Sequence, residues 1–346
     1  MRLGQVEVGL GRKPFVVAEI SGNHAQSLAK ALELVEGAWA AGASAVKLQT
    51  FVPDLMTLDA EGPAFYANPG GPWSGQKLID LYRRSALPLE AQRELFRHCA
   101  AKGILLFSAP FDEPSVEFLE SVGNPIYKIA SFELVHLPLI AKAAATGKPL
   151  ILSTGMATEA EIREAVDAAR AGGAKELALL KCTSTYPAPA SESNLAAIPR
   201  MRAMFHCEIG LSDHTLGIGS AVAAVALGAT IIEKHVTLSR AGDGIDAAFS
   251  LELDELAQLV RETARAAECI GKPEIGPTES EMPARERRRS LYVVAEVRKG
   301  DAFTAQNVGA RRPALGLAPK HYAAVLGRRA VRDLPAGTPL SWDDCL

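Results

Sequence analysis

Two lysines, two histidines and a glutamate stand in or at the ends of short apolar runs, where charge is costly unless it is used. Lys47 lies in AVKLQT (45–50) and Lys128 in YKIAS (127–131). Such a lysine is either a solvated strand-end side chain or a cation kept for an anion. Glu19 ends the run Phe15–Glu19 and reads as an ion-pair partner or a proton-transfer group. His214 and His235 close two successive runs, after Ser212-Asp213 and after Glu233-Lys234. Two imidazoles completed by water or substrate oxygens suit a divalent metal, although the spacing matches no standard metal motif and a lone histidine is more often structural. His98, His136, His206 and His321 fall on expected helices or near the C-terminus and are read as structural. Ser131, Ser153, Ser184 and Ser212 each look like a cap or turn residue, but together they are donors for a phosphate or carboxylate. Gln49 shares a strand face with Lys47, and Tyr186 follows Ser184 in its loop.

The elements that must position these groups alternate regularly. Strands are expected at Phe15–Ile20, Ala45–Gln49, Ile104–Ser108, Ile126–Ala130, Leu150–Ser153, Leu177–Lys181, Glu208–Leu211 and Thr230–Glu233, each followed by a helical pattern. A long Gly- and Pro-rich connection, Thr50 to about Leu89, reads as a lid or partner-binding segment. Eight strand–helix units over residues 1–270 fit a (β/α)8 TIM barrel, with a doubly wound sheet as the alternative. No G-x-G-x-x-G follows the first strand, so a dinucleotide fold has no support. In a closed parallel barrel both strand faces are covered, so inward Lys47 and Lys128 must be paired or bind an anion. The strand C-termini, where these polar groups cluster, face the active site in such a barrel.

The chain has 346 residues, 48% hydrophobic and 22% charged, with a net charge of −3. That excludes disorder and offers no basic field for nucleic acid or an anionic membrane. Five scattered cysteines, none in C-x-x-C spacing, suit a reducing cytoplasm, and the N-terminal segment lacks the apolar run of a signal peptide. The uncharged stretch Thr215–Ile232 is punctuated by Gly217, Gly219 and Gly228, and reads as a buried helix then a buried strand. Residues 271–289 are polar and Pro-containing, as a linker would be, and 290–346 read as a small β-rich domain. Within it Gly300-x-x-Phe303-Thr304-x-x-Asn307 echoes Gly337-x-x-Leu340-Ser341-x-x-Asp344.

A set of motifs in order along the chain resembles the sialic acid synthase family: AEISGNH (18–24), AVKLQT (45–50), SAPFD (108–112), YKIAS (127–131), LSTGMA (152–157), LLKCTSTYPA (179–188), GLSDHT (210–215) and ALGATIIEKHVTLSR (226–240). The remainder, with ARRPALGL (310–317), resembles that family's antifreeze-like (SAF) domain. The resemblance implies condensation of phosphoenolpyruvate with an open-chain amino sugar aldehyde. It implies that Lys47, Lys128, Ser131, Ser153, Ser184 and Ser212 hold the enolpyruvate anion, and that a Mn²⁺, Co²⁺ or Mg²⁺ ion sits on His214 and His235. It implies that Glu19 is the acid/base group, that Asp246 helps bind the sugar, and that Arg312 reaches the barrel of a partner subunit in a domain-swapped homodimer. Three departures, Ser21-Gly22 in the first motif, Ala109 and Ser184, resemble the branch that makes pseudaminic acid from a 2,4-diacetamido-2,4,6-trideoxy sugar. A metal-dependent aldolase releasing no phosphate, or a carbohydrate-binding scaffold working through the C-terminal domain, are the competing classes.

Overall fold

The computed structural model describes residues 1–69 and 71–346; Gly70, within the Gly- and Pro-rich stretch, lies outside the described residues. The chain divides into two compact units, Met1–Gly271 and Lys272–Leu346.

The first unit is a closed barrel of eight parallel strands in sequential order. They are β1 (Phe15–Glu19), β2 (Ala45–Thr50), β3 (Leu106–Pro110), β4 (Tyr127–Ile129), β5 (Leu150–Ser153), β6 (Leu177–Cys182), β7 (Glu208–Asp213) and β8 (Ile231–His235). β8 pairs with both β7 and β1, which closes the ring. Only β5 has the expected bounds at both ends, and three strands, β3, β7 and β8, shift by two residues at an end. β3 starts at Leu106, not Ile104, because the Ile104 amide bonds the Cys99 carbonyl and ends the preceding helix. β7 and β8 run on to Asp213 and His235, since the ladder pairs Lys234 with Asp213 and His235 with Glu19. The polar tips are therefore held in sheet rather than free in loops.

Strand alternation sorts the apolar residues into two cores. Val16, Val46, Leu48, Leu106, Ile129, Leu152, Leu179 and Ile232 face outward against the helices. Phe15, Val17, Ala45, Phe107, Ile126, Ile151, Ala178, Leu180 and Ile231 fill the barrel interior at its N-terminal end. A hairpin that the sequence pattern did not signal, Arg2–Leu3 against Val6–Glu7, adds Leu3 and Val8 to this interior core. The helices have local causes. α1 (Leu28–Ala40) is capped by the Ser27 hydroxyl. After the short helix α2 (Leu78–Ser85), α3 (Leu89–Lys102) ends at Gly103 in left-handed conformation. α4 (Glu113–Ser121) is capped by Asp112, and α6 (Glu159–Ala171), after α5 (Leu137–Ala145), opens with a Thr158/Glu161 capping box. α7 (Ala197–Phe205), α8 (Gly219–Ala226) and α9 (Leu253–Ile270) complete the ring. The uncharged stretch is α8 followed by β8, and among the described residues no helix is long and apolar enough to cross a membrane.

The second unit pairs β9 (Ser290–Val293) with β10 (Val308–Arg311) over a core that includes Leu291, Val293, Phe303, Val308, Leu334 and Leu340. The sequence echo is structural. Gly300 and Gly337 both take positive φ, 88° and 92°, which a turn here requires. Phe303 and Leu340 are both buried, and the side chains of Asn307 and Asp344 accept the amides of Thr304 and Ser341 at 2.7 and 2.9 Å.

Candidate active site

The inward side chains change character along the barrel axis. Toward the strand C-termini the apolar interior gives way to Glu19, Lys47, Gln49, Lys128, Ser153, Ser212, Glu233 and His235. Lys47, Lys128, Glu19 and Glu233 are all at most 5% exposed and form one charge cluster. Lys47 is paired with Glu19 and lies 3.7 Å from Glu233 Oε1, and Lys128 lies 3.7 Å from the same oxygen. Ser212 Oγ donates to Glu233 at 3.1 Å. Burial pushes the Glu19 carboxyl above its ordinary range, against the pull of Lys47. Burial also works on Glu233, but Lys128 and Lys47 hold its carboxyl below the ordinary range. Burial lowers Lys128. For Lys47, burial is outweighed by Glu19 and Glu233, and its ammonium is stabilised. Two ammonium groups fixed in a dry barrel, each already balanced by carboxylate, form a site that can exchange internal partners for an anionic ligand.

Above this layer opens a cavity of about 850 Å³, whose lining includes Gln49, Ser131, Ser184, Tyr186, His235 and Asp246. The size suits a small-molecule site. One part of its floor is a hydroxyl cradle. The Gly155 amide donates to Ser131 Oγ at 3.0 Å. A Cβ at Gly155 would lie 2.1 Å from Ser184 Oγ and 2.8 Å from Ser131 Oγ, so both hydroxyls converge over the bare α-carbon. Ser153, next to this cradle in sequence, is buried with an unpartnered Oγ. Ser184 Oγ also lies 3.6 Å from Cys182 Sγ, and such convergent hydroxyls near lysines suit a phosphate.

The histidines meet as the strand order requires, with ring centroids 5.2 Å apart. On the outer face of the sheet the buried Lys234–Asp213 ion pair, 2.7 Å, staples the two strands that carry them. His214 Nδ1 lies 3.0 Å from the Thr183 carbonyl oxygen, so that nitrogen carries a proton and Nε2 is the one a metal could take; burial works against the charged ring, but Cys182 and the Thr183 carbonyl hold it above its ordinary range. His235 Nδ1 is buried without a partner, and burial, with His214 and the nearby lysines, holds the ring neutral. Among the described residues no cluster of three or more His, Cys, Asp or Glu side chains gathers as a ligand set. The pair fits a divalent ion that takes two nitrogens from the protein and its other ligands from water or substrate. Tyr186 covers His214 at 4.5 Å, and its phenol is pushed up by burial and stays protonated.

Asp246 comes from the loop after β8 and is anchored by the Ser21 hydroxyl and by its own amide to Asn23 Oδ1 at 3.0 Å. Ser21 holds φ at 46°, in the left-handed region that favours glycine, and its hydroxyl also accepts from Gln49 Nε2 at 3.1 Å. The barrel thus gathers twelve of the thirteen sequence-derived site residues around one cavity and the layer beneath it. The thirteenth, Arg312, is exposed in the second unit, beyond β10.

Sequence reasoning assigned no role to Glu233, Gly155 or Glu133. Glu233 carried a signal, being two residues from His235 and so on the same strand face. Glu133, with an unpartnered buried Oε2 and a carboxyl that burial pushes up to about 7, stands in a short turn with no periodic signature.

Residues 34–274 match the NeuB family, and residues 288–345 match the SAF domain. The chain is 40% identical to the pseudaminic acid synthase of Helicobacter pylori, over 96% of this chain and 97% of that protein. It is 35% identical to the N,N'-diacetyllegionaminic acid synthase of Campylobacter jejuni, over 93% and 97%. Among solved structures it resembles the N-acetylneuraminic acid synthetase of Leptospira borgpetersenii in complex with citrate, with a TM-score of 0.73 and 33% identity over 82% of this chain and 94% of that one. The chain belongs to the NeuB family: it is a nonulosonic acid synthase with a TIM barrel and a SAF domain.

Proposed function

We propose that the protein is a pseudaminic acid synthase, joining phosphoenolpyruvate to 2,4-diacetamido-2,4,6-trideoxy-L-altrose and releasing phosphate by C–O cleavage. The observation that carries this reading is the buried Lys47–Lys128 pair and the Ser131–Gly155–Ser184 cradle, at the same end of the barrel as the two histidines. The higher identity to a pseudaminic than to a legionaminic acid synthase supports the sugar, as does the small, apolar Ala109, paired with Gln49 in the ladder. N-acetylneuraminic or legionaminic acid as product is the second reading, favoured by the Leptospira likeness.

In this mechanism Lys47 and Lys128 bind the carboxylate and phosphate, exchanging contacts with Glu19 and Glu233 for contacts with the ligand. The serine hydroxyls and Gly155 fix the phosphate, and with it the enol plane. A divalent ion on His214 and His235 would supply Lewis-acid polarisation of the aldehyde oxygen. Asp246 and Tyr186 orient the aldehyde so that the enolpyruvate methylene carbon forms the new C–C bond to it. The aldehyde oxygen takes a proton and C2 becomes electron-poor. Glu19, its carboxyl raised by burial and its Oε1 held by the Ser21 amide at 3.1 Å, is placed to pass that proton or to stabilise the positive centre. Water adds to C2 and loses a proton, and the C2–O bond then breaks, expelling inorganic phosphate and leaving the keto acid.

Each site is completed, in this proposal, by Arg312 from a second chain in a domain-swapped homodimer. Side chains on the βα loops at the barrel mouth support a covering partner: Phe132, Val135, Met156 and Leu216 are 60 to 66% exposed. The five cysteines are all free, as a cytoplasmic enzyme requires.

The test offers phosphoenolpyruvate, labelled with ¹⁸O at the bridging position, with the diacetamido-trideoxy sugar or with N-acetylmannosamine, and identifies the products by mass. Label in phosphate and a pseudaminic acid mass support the proposal. Label retained in the acid refutes C–O cleavage, and turnover of N-acetylmannosamine alone refutes the sugar.

A further inference from the structure

The cavity wall across the barrel mouth from the histidines, on the loops after β2, β3 and β4, is aromatic rather than polar. The Phe51 ring meets Tyr82 edge-on at 6.1 Å and Phe111 at 5.5 Å, each at 74°. The group is rigidly placed. The Asp112 carboxylate accepts the Val52 amide at 3.0 Å and the Ser115 amide at 2.7 Å, tying the β2 loop to the start of α4. The Phe111 amide donates to the Thr50 carbonyl at 3.2 Å. Phe51 is buried, while Tyr82 and Phe111 are half-buried and line the cavity with it. Glu133 is the acid on this wall, its Oε2 buried and unpartnered. The anion cluster and the histidine pair use none of these four side chains.

An open-chain sugar whose aldehyde lies at the histidines and whose partner sits on the lysines must extend its far end away from both. In an eight-stranded ring the loops after β2 to β4 stand opposite those after β6 to β8. An apolar wall there rejects a hydroxyl that finds no partner and accepts a methyl.

We propose that Phe51, Tyr82 and Phe111 are specificity-determining residues, forming a subsite for the terminal methyl group of a deoxy amino sugar. This rests on the synthase reading above and deepens it.

The test compares a 6-deoxy acetamido sugar with its 6-hydroxy counterpart of the same configuration, in the full-length enzyme. Wild type should favour the deoxy sugar in kcat/KM by ~10- to 100-fold. Phe111→Ser and Tyr82→Ser should shrink that ratio at least tenfold by raising KM for the deoxy sugar, with KM for phosphoenolpyruvate unchanged. Phe111→Leu, which stays apolar, should keep the ratio and shows that the position tolerates substitution. An unchanged ratio in both serine variants, or a parallel rise in KM for phosphoenolpyruvate, overturns the subsite alone. A wild type that prefers the 6-hydroxy sugar does the same. Failure to turn over either sugar with phosphoenolpyruvate overturns the synthase reading and the subsite with it.

Discussion

Gly155→Ala separates the phosphate cradle from the fold. The new methyl would stand 2.1 Å from Ser184 Oγ and 2.8 Å from Ser131 Oγ, so both hydroxyls must swing away. Neither is a backbone atom, so the displacement is cheap for the fold. Gly155 is not at positive φ, so alanine fits its backbone and should return about 0.4–1 kcal/mol through the unfolded state. A hydrogen bond to a charged group contributes about 1.5–3 kcal/mol. Two such bonds weakened but not abolished amount to about 3 kcal/mol, or roughly 100-fold in kcat/KM for phosphoenolpyruvate. The Tm should move by no more than about 4 °C. Continuous phosphate release measured against phosphoenolpyruvate concentration, with the sugar saturating, reads the first number, and a melting curve the second. KM for the sugar should stay within about twofold, since Asp246 comes from the loop after β8 and the cradle from the loops after β4, β5 and β6. A stable variant whose kcat/KM for phosphoenolpyruvate falls less than about threefold would show that these hydroxyls do not bind phosphate.

Exhaustive chelation should abolish phosphate release, with recovery on adding Mn²⁺, Co²⁺ or Mg²⁺, and His235→Ala should lose metal uptake while keeping a wild-type melting curve; full activity after chelation rules out the metal. Burial lowers His24 to about 4, and its Nδ1 accepts the Gln26 amide at 3.0 Å, which requires a neutral ring. The unfolded chain therefore takes up this proton first, and stability is lost as pH falls from about 6.5 toward 4, by about 2 kcal/mol between pH 6.5 and 5. Urea midpoints for wild type and His24→Asn should diverge less at pH 5 than at pH 7, and parallel curves would contradict the assignment. Co-expressed Glu19→Ala and Arg312→Ala chains, each inactive alone, should recover roughly a quarter of wild-type activity if sites are shared across a dimer. No recovery in dimers shown by sedimentation to be mixed would place Arg312 outside the partner's site.

The strand order and most of the site were legible because a parallel barrel obeys two local rules. Inward and outward positions alternate along each strand, and polar side chains at strand C-termini converge on one mouth. Those rules put Glu19 beside Lys47, bring His214 and His235 together across adjacent strands, and leave Lys128 in need of a partner. They are read from position within an element, which the sequence itself carries. Tertiary structure decided what depends on distances between loops. Glu233 as the common partner of both lysines, the Ser131 and Ser184 hydroxyls closing over Gly155, and the Phe51–Tyr82–Phe111 wall all come from segments far apart in the chain. No periodicity links such segments, and a hydrogen-bond vacancy such as that of His235 Nδ1 exists only when every neighbour is in place. The hairpin that adds Leu3 and Val8 to the interior core is likewise illegible in the sequence. Its two-residue strands are too short to show alternation, and only the open end of the barrel gives their apolar side chains somewhere to be buried.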